Sequence, residues 1–167
     1  MSRKLFGTDG IRGVAGEPPL DERTAHAVGV ALGEWARCGN AKKISQTPEV
    51  VIGIDTRESG PWLAAQVAGG LKRSGVGARF AGVITTPGVA CLARTGPYVA
   101  GVMISASHNP YLDNGIKITP PDLNSTTDHI FIPRSALSEL TVLGVVGIAR
   151  RKPAAAAAAG QPRLFNE

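Results

Sequence analysis

Aromatic residues are scarce, at 5% of the chain, and the basic residues, 18 against 13 acidic ones, are scattered, with Arg150-Arg151-Lys152 the longest run. A nucleic-acid groove wants a basic stripe interleaved with stacking aromatics, so no nucleic-acid partner is expected. A formal charge of +5 suits a phosphorylated small molecule better. The two cysteines, Cys38 and Cys91, have no metal-ligand spacing and are too few for a disulfide scaffold, which fits a reducing compartment. No stretch approaches the roughly 18 apolar residues of a membrane helix. Met1-Ser2-Arg3-Lys4 is basic like the start of a signal peptide, but Gly7-Thr8-Asp9-Gly10 stands where the apolar segment should follow. The reading is a soluble, cytoplasmic protein with no membrane partner; nothing in the pattern gives an oligomeric state.

What is present can fold. Hydrophobic residues make up 43% of 167, enough for one core, and 19% charge is too little for a wholly disordered chain. Eighteen of the 21 glycines lie in residues 1–117, so the chain has two unlike parts. In the first, Asp21 can cap a helix carrying Ala25, Val28, Leu32 and Trp35 at helical spacing and ending near Cys38-Gly39. Val50–Ile54 is a β-branched strand, and Ser59-Gly60-Pro61 starts a helix over 61–74, with Ser59 as its cap. Arg79–Ile84 is the next strand, Pro87 opens a short helix through Leu92, and Tyr98–Ile104 is a third strand. Cys91 reads as a small core residue, and His26 and His129 as structural or solvated.

Strands alternating with helices predict an α/β fold of βαβ units with a mainly parallel mixed sheet and its functional loops at the carboxyl ends of the strands. Two of those ends carry chemistry-bearing residues, Asp55-Thr56-Arg57 and Ser105-Ala106-Ser107-His108-Asn109-Pro110. A serine beside a histidine at a strand-to-loop junction, with Lys117 ten residues on, can serve as a nucleophile aided by donors and cations. The same residues suit a polar turn, since Asn109-Pro110 and Asn114-Gly115 are turn dipeptides. At the other end, Phe6-Gly7-Thr8-Asp9-Gly10-Ile11-Arg12-Gly13 allows close backbone approach, and Arg12 offers a planar donor fork to phosphate. An edge strand with a solvated arginine would read the same way.

In this order and separation, Phe6–Gly13, Gly53-Ile54-Asp55-Thr56-Arg57 with Ser59, Thr86-Pro87, Ser105–Pro110 and Asn114-Gly115-Ile116-Lys117 closely resemble the first domain of the α-D-phosphohexomutases. The Lys4–Gly13 opening and the alanine after Ser105 resemble the branch acting on glucosamine phosphates more than those acting on glucose or mannose phosphates. The resemblance implies that Ser107 carries a phosphoryl group and gives it to the sugar, and that His108 helps hold substrate and phosphate. It implies that Arg12 and Lys117 are catalytic cations, and Arg57 and Asn109 are expected to bind substrate or phosphate. Glucosamine 6-phosphate would become glucosamine 1-phosphate through a 1,6-bisphosphate, with glucose or glucosamine 1,6-bisphosphate as phosphorylating activator. Such chemistry is largely positioning plus cationic stabilisation.

The family also implies Mg²⁺, held by phosphorylated Ser107 and a D-x-D-x-D-R loop of a second domain. The six aspartates here (9, 21, 55, 113, 122 and 128) include no two separated by one residue, so the remaining ligands are absent from this sequence and negligible turnover is expected of it alone. The expected division is a phosphohexomutase domain over 1–118 and an irregular, low-complexity tail over 119–167. The abrupt loss of resemblance, Pro120-Pro121 and the six alanines at 154–159 favour a shifted reading frame over a lineage-specific tail.

Overall fold

A computed structural model describes residue 6 and residues 10–40 and 47–121; His129 and the stretch from 122 onward lie outside the described residues. The chain runs β1 (Ile11–Val14), α1 (Glu22–Trp35), β2 (Glu49–Ile54), α2 (Gly60–Arg73), β3 (Gly77–Val83), α3 (Thr86–Thr95), β4 (Tyr98–Ile104) and β5 (Asp113–Thr119). The sheet order is β1-β5-β4-β2-β3. β3 and β4 pair parallel to β2, while β5 pairs antiparallel to both β4 and β1. This is the expected mixed α/β sheet. No helix among the described residues is long and apolar enough to cross a membrane.

From β2 the chain steps outward through α2 to β3, then back through α3 to β4 on the other side of β2. Right-handed crossovers in opposite directions put the two helices on opposite faces of the sheet. The packing follows: Val50, Ile52 and Ile54 of β2 and Val102 and Ile104 of β4 join α1 and α2 in the main core, whereas Val51 and Met103 meet Val89 and Ala93 of α3. α3 lies mainly over β2 and β4, with a lesser approach to β5. The crossing order also sets the carboxyl ends of β2 and β4 side by side, and Asp55 N–H donates to Ile104 O at 3.1 Å.

Local signals behave as their chemistry dictates, with four corrections. Asp21 caps α1 by accepting from Thr24 N–H at 2.8 Å. Ser59 precedes α2 but makes no side-chain cap bond: its backbone is already αR rather than extended, and its hydroxyl accepts from Asn114. α3 begins at Thr86 rather than Pro87, with Thr85 as its cap, and runs to Thr95. Asn114-Gly115 is no turn: both sit inside β5, where buried Asn114 finds its own partners. Cys91 is exposed, on the side of α3 turned from the sheet, and is no core residue.

α1 and α2 cross closely enough that glycine is required on both. A Cβ on Gly29 would stand 2.1 Å from Val67 O, and one on Gly70 would stand 2.1 Å from His26 O. Neighbouring Gly69 is different, its nearest atom being His26 Nδ1 at 3.4 Å. Gly70→Ala is therefore expected to destabilise the chain by about 2–3 kcal/mol through overpacking. Gly69→Ala should instead stabilise it by about 0.5–1 kcal/mol through helix propensity. Urea denaturation of the two variants checks the opposite signs.

Candidate functional site

β4 ends at Ile104 and the chain turns at once. Asn109 N–H donates to Ala106 O at 2.8 Å, closing a tight turn with Ser107 and His108 at its two corner positions. Both corner residues are exposed, whereas Ser105 and Ala106 behind them are buried. The serine and histidine singled out by the sequence thus form the crown of a turn whose stem is locked in the core.

Beneath the turn lies Arg57, only 9% exposed. Its Nη2 donates to Ala106 O at 2.6 Å and Asn109 O at 3.0 Å. Its Nη1 donates to Pro110 O at 2.5 Å and Asp113 O at 2.9 Å, and its Nε to Asp55 Oδ2 at 3.2 Å. A guanidinium has five N–H groups, and all five are used within the protein. Expected from the sequence as a substrate or phosphate ligand, Arg57 instead holds the two ends of the serine turn and the start of β5.

Arg12 reaches the same loop from β1. Its Nη1 donates to Asn109 Oδ1 at 2.8 Å, and Asn109 Nδ2 donates to Asp113 Oδ2 at 2.9 Å. That pair of bonds fixes which end of the Asn109 amide faces the cation. Lys117 follows from the strand period: Arg12 lies opposite Gly115, so Arg12, Gly115 and Lys117 share one face of the β1–β5 pair. Ile11 and Ile116 point the other way into the main core, which puts both cations on the α3 side of the sheet. The two strands approach closely here: a Cβ on Gly115 would meet Ile11 O at 2.8 Å and Ser105 O at 2.9 Å, and Gly10, at φ +94°, would meet Ile116 O at 2.2 Å.

Residues given no role of their own by the sequence complete the frame. Fully buried Asn114 donates to Ser59 Oγ at 2.9 Å and accepts from Gly115 N–H at 2.8 Å, tying β5 to the start of α2. Asp55 and Asp113 are held by Arg57 and Asn109. No group of three His, Cys, Asp or Glu able to hold a metal occurs among the described residues.

An exposed serine turn at the carboxyl end of a central strand, with arginine and lysine on the adjoining sheet face, defines an α/β domain suited to handling phosphate. The family model described as phosphoglucomutase/phosphomannomutase, alpha/beta/alpha domain I, matches residues 3–130, and the chain belongs to that family. The chain is 64% identical over 118 residues to the phosphoglucosamine mutase of Solibacter usitatus (strain Ellin6076), covering 71% of this chain and 25% of that one. It is 55% identical over 116 residues to the phosphoglucosamine mutase of Koribacter versatilis (strain Ellin345), covering 70% and 24%. Among solved structures, a phosphoglucomutase/phosphomannomutase family protein from Burkholderia thailandensis superposes with a TM-score of 0.64 at 25% identity, over 86% of this chain and 31% of that one. The chain spans about a quarter of the length of these curated relatives.

Asn114→Ala leaves Gly115 N–H and Ser59 Oγ without a buried partner. The expected cost is about 2 kcal/mol, read as a lower urea midpoint with unchanged slope.

Proposed function

We propose that this chain supplies the phosphoserine-bearing part of a phosphoglucosamine mutase, with Ser107 as the phosphoryl carrier. The observation that carries this reading is the exposed Ser107-His108 corner, standing on a rigid turn beside the face that holds Arg12 and Lys117. The high identity to proteins named phosphoglucosamine mutase favours an amino-sugar phosphate over other hexose phosphates. Sugar phosphates are the partners in this reading, and the cytoplasm its location. The domain spans residues 1–118, with 119–167 outside the motifs that define it; the family match itself extends to residue 130.

The chemistry suits the side chains. Ser107 Oγ forms a bond to the phosphorus of a sugar 1,6-bisphosphate as the sugar O–P bond breaks, and the serine proton ends on the departing sugar oxygen. Charge spreads over the equatorial oxygens during transfer, and Arg12 and Lys117 supply the cationic field that stabilises it. His108, at the second corner, lies where it can donate to substrate or phosphate. Asn109, whose amide is engaged by Arg12 and Asp113, contributes by fixing Arg12. Magnesium and an activating 1,6-bisphosphate belong to the whole enzyme in this reading.

Incubation with glucose 1,6-bisphosphate and magnesium, read by intact mass, should add one phosphoryl group to the wild-type chain and none to Ser107→Ala. Wild type that binds the bisphosphate yet keeps its unmodified mass would instead make this a sugar-phosphate-binding module. Multiple turnover of glucosamine 6-phosphate by a chain of these 167 residues should be negligible, since no three-carboxylate metal site is present among the described residues. Magnesium-dependent product formation in a coupled assay is the result that contradicts that expectation.

A further inference from the structure

Building on the reading of Ser107 as phosphoryl carrier, we infer that Arg57 is a positioning residue for phosphoryl transfer, acting through the backbone of the serine turn. Arg57 donates to the inward-facing oxygens of Ala106, Asn109, Pro110 and Asp113, and it skips those of Ser107 and His108, the two corner residues. One nitrogen, Nη2, holds both ends of the turn that the Asn109-to-Ala106 bond closes. The guanidinium and the turn's own hydrogen bond therefore fix the same four residues from two directions.

Peptide planarity carries the effect to the outer side. The Ala106–Ser107 peptide is trans, so when its carbonyl oxygen points at Arg57, its N–H, which belongs to Ser107, points the opposite way. The brace thus turns a backbone donor outward beside the serine hydroxyl, where it can meet the oxygens of a phosphoryl group on that residue. Asn109 and Asp113, the pair that orients Arg12, hang from the same guanidinium through their own carbonyl oxygens. Arg57 in this way sets the serine, its amide donor and the Arg12 cation in one frame without touching phosphate. Lysine cannot substitute, because an ammonium has three donors and no planar fork.

The test compares the 167-residue wild type with Arg57→Lys, Arg57→Met and Ser107→Ala. Two quantities are read: amide hydrogen exchange, and the rate of phosphoryl uptake from glucose 1,6-bisphosphate with magnesium as a function of donor concentration. In Arg57→Lys, the β4 amides should keep their protection while Asn109 and Asp113 N–H exchange at least about tenfold faster. The maximal uptake rate should fall about tenfold or more, with the half-saturating concentration changed by less than about twofold. If Arg57→Met does not fold, Arg57→Lys decides. A raised half-saturating concentration at an unchanged maximum makes Arg57 a phosphate ligand and overturns the inference. So does an unloosened loop, a loosened loop with wild-type uptake, or β4 protection lost together with the loop. Absence of uptake by the wild type overturns the phosphoserine reading, and the positioning role falls with it; failure of this inference alone appears only in the variants.

Discussion

One guanidinium organises the loop on which the candidate site rests. Arg57 is buried at the carboxyl end of β2, and its N–H groups satisfy four carbonyls from the segment following β4 and the carboxylate of Asp55. A loop that leaves a sheet and returns to it within nine residues turns several carbonyls inward toward the buried Arg57, away from partners in the sheet ladder, and a buried carbonyl is costly if unpaired. A planar cation with a fork of five donors meets that need in one side chain. Asp55 accompanies the charge, so the burial is of an ion pair extended by neutral acceptors rather than of a lone cation.

The rest of the site is hung on that brace by the strand order. With β4 between β2 and β5, a residue just past the end of β2 lies under the loop that joins β4 to β5. The reversal of direction at β3 places α2 and α3 on opposite faces, and α3 lies mainly over β2 and β4. Arg12 and Lys117 stand on the β1–β5 part of that face. Close approach of the strands at Gly10 and Gly115 lets the cations sit near the loop instead of being held off by side chains. Fold and site are thus one arrangement, in which the topology sets the loop beside the β1–β5 pair and the edge strand carries a cation to it.

Much of this was legible locally. Asp21 before an apolar-periodic run, the β-branched Val50–Ile54 and the Pro61 helix start all report through short-range sterics and capping, and each element forms where its residues indicate. The misreadings have a common origin. Ser59 looked like a cap until Asn114, 55 residues away, competed for its hydroxyl. Asn114-Gly115 carried a turn signal that burial in a strand overrode, because the asparagine could satisfy its amide internally. Cys91 was judged by its apolar neighbours, and the helix turned it to solvent.

The sequence alone determined the alternation of strands and helices, the placing of a serine-histidine turn at a strand's end and the family the motifs belong to, since all of these depend on residue order and spacing. Only the tertiary structure decided what Arg57 does. Next to Asp55-Thr56 it reads as a phosphate-seeking cation on a loop, and nothing within a few residues says otherwise. Its four carbonyl acceptors lie 49 to 56 residues further along the chain, and they become its partners only because the sheet sets β4 beside β2. A side chain's propensity is local, but its donors are spent wherever the fold brings buried acceptors, and that is a property of topology.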